Sequence, residues 1–221
     1  MEYHHELIKC PRCSKIQWAK IEHKVPWNSY FHICQKCLHD IMESDWDAII
    51  PKILSLWQPW ATLYACGVKL IETRPKETNY RGIYLIHAAK KWSKEQAEIC
   101  IQEPFKSALE KLGYLHYNEG TGYKGYSFSF PMGALVGSVE VVSCHRIHNS
   151  IWSPIRLKPH YYGNTMNYIQ EPEVSFGNYE DGRFVWISKH HKPLIEPVPY
   201  KGSQGYYMDF KGDKTQIKFA L

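Results

Sequence analysis

The sequence predicts an α+β protein in two parts, a small cysteine-rich module over residues 1–50 and a larger domain over residues 51–221. Three observations carry that reading. Four of the seven cysteines form two Cys-x-x-Cys pairs, both before residue 50. Beyond Pro51, stretches of strand-like and helix-like apolar spacing alternate. Hydrophobic residues make up 44% of the 221, enough for a sizeable core and too many for a disordered chain.

Composition also sets exclusions. No window approaches the ~18 consecutive apolar residues that a spanning helix needs. The start, Met1 to Glu6, has no apolar stretch of a secretory signal, so no membrane partner and a cytoplasmic location are expected. Seven cysteines cannot all pair with one another, and without an export signal the paired spacing favours metal over disulfides. The net charge is +5. Residues 1–50 carry six basic and seven acidic side chains, so the whole positive excess lies downstream. The larger part is therefore the better candidate for meeting phosphates. On charge alone, the small excess is better read as a slightly basic solvated surface.

In the first module, Cys10, Cys13, Cys34 and Cys37 give the spacing C-x2-C-x20-C-x2-C. Each tight knuckle offers two thiolates, and two knuckles complete a tetrahedron. Four thiolates leave no open position for water, so the expectation is one structural Zn2+. Residues 16–33 between the pairs are expected to form a hairpin, and Leu38 to Glu43 a helix start, in the manner of a zinc ribbon or treble clef. Fifty residues bury too little apolar surface to fold alone, so the metal would supply folding energy. A redox cysteine pair or an iron site is the competing reading. Such a module is also a candidate surface for a protein partner.

In the larger part, Ile53 to Trp57 reads as a short apolar strand. Pro59 suits a first helical turn, Trp60 to Cys66 a short helix, and Gly67 its C-terminal stop. Lys69 to Arg74 and Ile83 to Ala88 read as strands. Ser93 with Gln96 forms the pattern of a capping box. The helix it opens carries Ala97, Ile101, Phe105, Ala108, Leu109 and Leu112 on one stripe, with Pro104 splitting it. Ala134 to Val142, Arg183 to Lys189, Tyr206 to Phe210 and Lys214 to Phe219 complete the strands. Residues 148–182 show no regular pattern. They interleave Trp152, Arg156, Lys158, His160, Tyr161, Tyr162, Tyr168 and Tyr179, which suits either base stacking or a loop pinned by its rings.

Within this part, Leu54-Ser55-Leu56-Trp57-Gln58-Pro59-Trp60-Ala61 precedes Gly67-Val68-Lys69-Leu70-Ile71-Glu72-Thr73-Arg74, then Tyr80-Arg81-Gly82 and His87-Ala88-Ala89-Lys90. The order resembles the ASCH domains, a branch of the PUA-like superfamily. Gly67, Lys69, Glu72 and Arg74 match the family's G-x-K-x-x-E-x-R motif. Gly182 to Trp186, Pro193-Leu194 and Lys201-Gly202 agree as well, so the resemblance runs from about residue 52 to the C-terminus. It implies a small PUA-like β-barrel flanked by helices. It also implies a cleft beside the first helix and the motif strand that binds RNA or another nucleic acid.

The residues supply their own rationale. On a strand, Leu70, Glu72 and Arg74 share one face, so Glu72 and Arg74 can pair. Such a pair can orient Lys69 towards a phosphate, or it can be a structural salt bridge closing the barrel. The candidate nucleic-acid contacts are Gln58, Trp60, Lys69, Arg74, Arg81, His87 and Lys90. Gln58 would read a base edge and Trp60 would stack, though a tryptophan here also suits a core. His87, in an apolar strand, fits a hydrogen-bonded core residue equally well. RNA is favoured over DNA, because single-stranded or flipped bases suit such a pocket.

The resemblance carries an enzymatic alternative too. Some ASCH-type proteins are amidohydrolases of acylated nucleosides, using Lys, Thr and Glu, and others are described as nucleases. Lys69 stands at the matching Lys, whereas Glu72 occupies the position of the Thr. Lys69 and Glu72 are then the candidate catalytic residues. Cys66, Cys100 and Cys144 read as small buried hydrophobes.

Overall fold

The computed structural model describes residues 4–9, 16–21, 50–148, 156–157, 169, 171–202 and 207–220. The chain divides into two compact units, Met1–Ile50 and Pro51–Leu221.

In the first unit, β1 (His4–Lys9) pairs antiparallel with β2 (Ile16–Ile21), with His4 opposite Ile21 and Lys9 opposite Ile16. The strand at Ile16 thus pairs backwards to β1. The connection between the two strands, residues 10–15, carries Cys10 and Cys13. Those two cysteines, Cys34, Cys37 and the expected helix start at Leu38 lie outside the described residues.

The second unit is built on one sheet. Its strands are β3 (Lys52–Leu56), β4 (Ile71–Arg74), β5 (Gly82–Ala88), β8 (Ala134–His148), β9 (Arg156–Leu157), β10 (Phe184–Pro199) and β11 (Met208–Asp209). The order is β11-β3-β5-β8-β10-β4, with β9 added to β8. β3 and β5 run parallel, and the other pairs are antiparallel. The path is open, with β4 and β11 as its two ends. This corrects the expectation of a closed barrel. Across the gap between β4 and β3, the Arg74 Nη2 donates to the Ser55 carbonyl at 3.1 Å, so a side chain spans where a ladder would be needed for closure.

Among the described residues the helices are few and short: α1 (Trp60–Ala65), α2 (Lys94–Cys100) and α3 (Phe105–Lys111). All of α1 after Trp60 is buried. It lies directly on β8, because Gly137 leaves no room for a side chain: a Cβ there would meet the Ala65 Cβ at 2.6 Å. Leu54, Leu56, Tyr64, Tyr84, Ile86, Val139, Val141 and Trp186 form the main core. A second cluster joins Leu63 to Cys100, Phe105, Leu109, Leu115 and Phe176. No helix among the described residues is long and apolar enough to cross a membrane.

Several details depart from the sequence reading. The Ser93 Oγ accepts from the Gln96 N–H at 3.4 Å, but the Gln96 side chain donates to the Gln58 carbonyl instead of returning to Ser93. Half of the capping box therefore forms, and the other half ties α2 to α1. Pro104 separates α2 from α3 as expected. A hairpin of β6 (Leu115–Tyr117) and β7 (Tyr126–Phe128) had no distinct signature. Lys214–Gln216 is a 3-10 turn, with only a single bridge from Phe219 to Leu194, because the Asp213 side chain caps the Thr215 N–H and curls the chain.

Candidate functional site

The site begins at the end of α1. Gly67, with φ +71°, takes the left-handed conformation that a side chain disfavours. Its N–H donates to the Tyr64 carbonyl at 3.3 Å and the Val68 N–H to the Leu63 carbonyl at 3.0 Å. This pair of hydrogen bonds is the Schellman stop of a helix. It turns the chain so that Lys69 drops inward, 1% exposed. The Lys69 Nζ donates to the Ile71 carbonyl, lies 3.2 Å from the Glu72 Oε2, and sits 5.3 Å from the Tyr64 ring centre.

From the other side, the Arg74 Nε lies 2.9 Å from the Glu72 Oε1. That contact is an ion pair without hydrogen-bond alignment. One buried carboxylate thus joins two cations. Removing water from such a group is costly unless opposite charge surrounds it, and here both oxygens meet a cation.

These side chains floor a cleft of about 390 Å³ between β3 and β4. Trp57, Trp60, Ser175, Phe176, Gly177 and Asn178 line it as well. Trp60 meets Phe105 edge-on at 6.0 Å. The segment 175–178 is fastened to the free edge of β4 by Glu173. Its carboxylate accepts from the Leu70 N–H at 2.7 Å and the Ile71 N–H at 3.1 Å. The Tyr179 hydroxyl donates to the same carboxylate at 3.2 Å, and the Asn178 N–H donates to the Thr73 Oγ1 at 3.2 Å. Burial pushes the Glu173 carboxyl above its ordinary range, opposed by Lys69 and by the two amides.

The cleft offers aromatic faces, two cations and one carboxylate, a surplus of one positive charge. Ring walls with donors and an acceptor on the floor suit a flat polar ligand. The described cysteines offer no nucleophile. Burial raises the thiols of Cys66 and Cys144 and pushes that of Cys100 up to about 12, which keeps them protonated and inert.

The profile of the ASCH domain matches residues 54–172, more than half of the chain and including the whole motif strand. The chain belongs to the ASCH domain family. This ASCH protein is also similar to activating signal cointegrator 1 of Homo sapiens, at 26% identity over 151 residues, and of Mus musculus, at 24% over 150. Each alignment covers 68% of this chain and 21% of the relative. The ASCH chain therefore spans about a fifth of the length of the curated relatives it matches.

Of the residues proposed from sequence, the ASCH cleft gathers Trp60, Lys69, Glu72 and Arg74. The others lie elsewhere. Gln58 is fully buried: its Nε2 donates to the Pro131 carbonyl at 3.0 Å, and its Oε1 accepts from the Thr62 N–H at 3.1 Å. His87 is 5% exposed, with Nδ1 3.0 Å from the Ser55 Oγ and Nε2 3.1 Å from the Tyr200 carbonyl. Arg81 donates to the carbonyls of Thr78 and Tyr80. Lys90 is exposed and packs along Gly133. Glu173 and Asn178 had no signal in the sequence, because their partners at β4 lie about a hundred residues away, and Phe176 had none because it packs on the distant Phe105. Trp57 also lines the cleft, and the Lys91 Nζ stands 4.6 Å from its ring centre. From the long segment, Trp152, Lys158, His160, Tyr161, Tyr162 and Tyr168 lie outside the described residues.

Proposed function

We propose that this ASCH-domain protein binds single-stranded nucleic acid, RNA in preference to DNA, by holding a base in the cleft between β3 and β4. The observation that carries the reading is that Glu72, held between Lys69 and Arg74, lines one cleft with the rings of Trp57 and Trp60. An unstacked base has two apolar faces and an edge of mixed donors and acceptors. The cleft offers partners for both. The domain's basic excess supports the reading, since phosphates must be neutralised around the base.

The test is a fluorescence-anisotropy titration of the full chain with RNA and DNA oligomers at two salt concentrations. Saturable, salt-sensitive binding with RNA tighter than DNA is expected. Flat titrations at low salt overturn the proposal.

The Lys69–Glu72 contact at 3.2 Å also favours a second reading. A hydrolase of a modified nucleoside or of RNA would use Lys69 and Glu72. Incubation with N4-acetylcytidine and with labelled RNA, against Lys69→Ala, separates it from binding. Product formation abolished by Lys69→Ala supports the hydrolase, and no product from the wild type removes it.

For residues 1–50, the proposal is one Zn2+ held by Cys10, Cys13, Cys34 and Cys37, with the module serving to dock a protein partner. The antiparallel pairing of β1 with β2 supports it, since the two strands flank the sequence that carries Cys10 and Cys13. The name of the relatives, a cointegrator, fits a protein that joins partners.

A further inference from the structure

Trp57 leaves the end of β3 with half of its surface in solvent, at 50% exposure. It lines the cleft, but its ring also extends beyond it. The Lys91 Nζ stands 4.6 Å from the ring centre. A solvated tryptophan under a flexible ammonium is a stacking face with a phosphate-seeking charge beside it.

The next residue carries the surface onward. Trp92 lines a second groove, of about 530 Å³, together with Lys94, Tyr123, Tyr126 and Phe128. Trp92 packs on Phe128 at 5.2 Å. Trp92 follows Lys91 directly in the chain, so the groove lies one residue on from the lysine that covers Trp57 at the cleft. Lys90, Lys91 and Lys94 are all exposed along this stretch. The acidic groups facing it are Glu95 and Glu98, and Glu98 is already occupied by the Lys124 Nζ at 2.8 Å and by the Tyr123 hydroxyl. Glu95 feels both Lys94 and Lys91, so these lysines are partly compensated, and rings and exposed cations alternate along Trp57, Lys91, Trp92 and Lys94. That alternation complements a polyanion whose units each carry a flat ring.

We infer that the Trp57–Lys91 step and the groove beyond Trp92 hold the nucleotides flanking the one in the cleft, so that the ligand is a single strand of several nucleotides and not a free nucleoside. This rests on the reading of the cleft as a base site. A flanking base displaces the Lys91 ammonium from the Trp57 face, and the ammonium turns to the phosphate joining the two nucleotides. Lys94 meets a further phosphate at the groove.

The experiment is competition of unlabelled uridylate oligomers, from one to six nucleotides, against a fluorescein-labelled RNA hexamer bound to the full chain. Affinity is expected to rise at least tenfold from one nucleotide to six. Trp57→Ala should weaken the hexamer about five- to 150-fold, the range for losing one base stack, and Trp57→Phe should recover most of it. Lys91→Gln and Lys94→Gln should each lower the slope of log affinity against log salt by about 0.7. A mononucleotide that competes as well as the hexamer overturns the inference and leaves the cleft reading intact. A Trp57→Ala protein that binds the hexamer like the wild type, while Trp60→Ala weakens it, does the same. A wild type that does not bind the labelled hexamer overturns both.

Discussion

The Nζ of Lys69 and the Oε2 of Glu72 lie 3.2 Å apart, in a place where both side chains are almost wholly removed from solvent. The pair is one arm of a three-residue cluster whose other arm is the Glu72–Arg74 contact. Breaking a buried pair by deleting one partner costs about 3–5 kcal/mol, because the other charge is left without compensation. Glu72→Ala is therefore expected to destabilise the domain by roughly that amount. Lys69→Met should cost less, since Arg74 still compensates the carboxylate. A double-mutant cycle by denaturant unfolding checks this, and additive single effects would show that the two residues act independently.

Arg74 has a task that lysine cannot share. Its Nε faces Glu72 while its Nη2 donates to the Ser55 carbonyl across the open side of the sheet. A lysine ammonium is a single point charge and cannot extend in both directions at fixed geometry. Arg74→Lys should keep the charge yet lose about 1–2 kcal/mol of stability and weaken oligonucleotide binding. Unfolding midpoints and anisotropy read the two effects separately.

Glu173 fastens the cleft wall to the edge of β4. The substitution Glu173→Gln replaces one accepting oxygen by an NH2 group, which faces a backbone N–H. Leaving one such buried donor unpaired costs about 1–3 kcal/mol. Hydrogen exchange should accelerate at Leu70 and Ile71, the two amides that the carboxylate holds, with little change at the central strand β8.

His87 makes stability depend on pH. Burial lowers its folded pKa below the ordinary 6.5. In the neutral form, Nε2–H donates to the Tyr200 carbonyl and Nδ1 accepts from Ser55. Below about 6.5 the unfolded chain binds the proton more readily, so stability falls as pH drops through that value towards the lowered folded pKa. His191, also lowered by burial, adds to the same slope. Thermal unfolding between pH 7.5 and 5.5 should show the decline, and His87→Gln should reduce its steepness.

The full chain, purified without chelator, should carry one zinc per molecule by plasma mass spectrometry. Cys34→Ser should abolish it. Metal content at trace levels in the wild type would remove the zinc from the account.

Local chemistry made much of this legible. The stop at Gly67, the helix from Trp60 and the pairing of Glu72 with Arg74 follow from a left-handed turn, apolar spacing and alternation along a strand. The sequence offers Lys69 as a cation directed at a phosphate, and the structure buries it against Glu72. The reason is that β4 begins only at Ile71, so Lys69 belongs to the inward turn before the strand. Gln58 and His87 were read as site candidates because polar residues beside an aromatic or apolar run look available. Their hydrogen bonds to Pro131 and Tyr200 come from distant chain and are invisible in one dimension. The same holds for Glu173, whose role depends on which strand ends the sheet.

The most direct measurement is RNA-hexamer anisotropy on the wild type and on a protein carrying Arg74→Gln with Trp60→Ala, both confirmed folded by circular dichroism. The account predicts saturable binding to the wild type that weakens with salt, and at least a tenfold loss in the double variant. Equal affinity of the two proteins would place the nucleic acid away from the cleft and contradict the account.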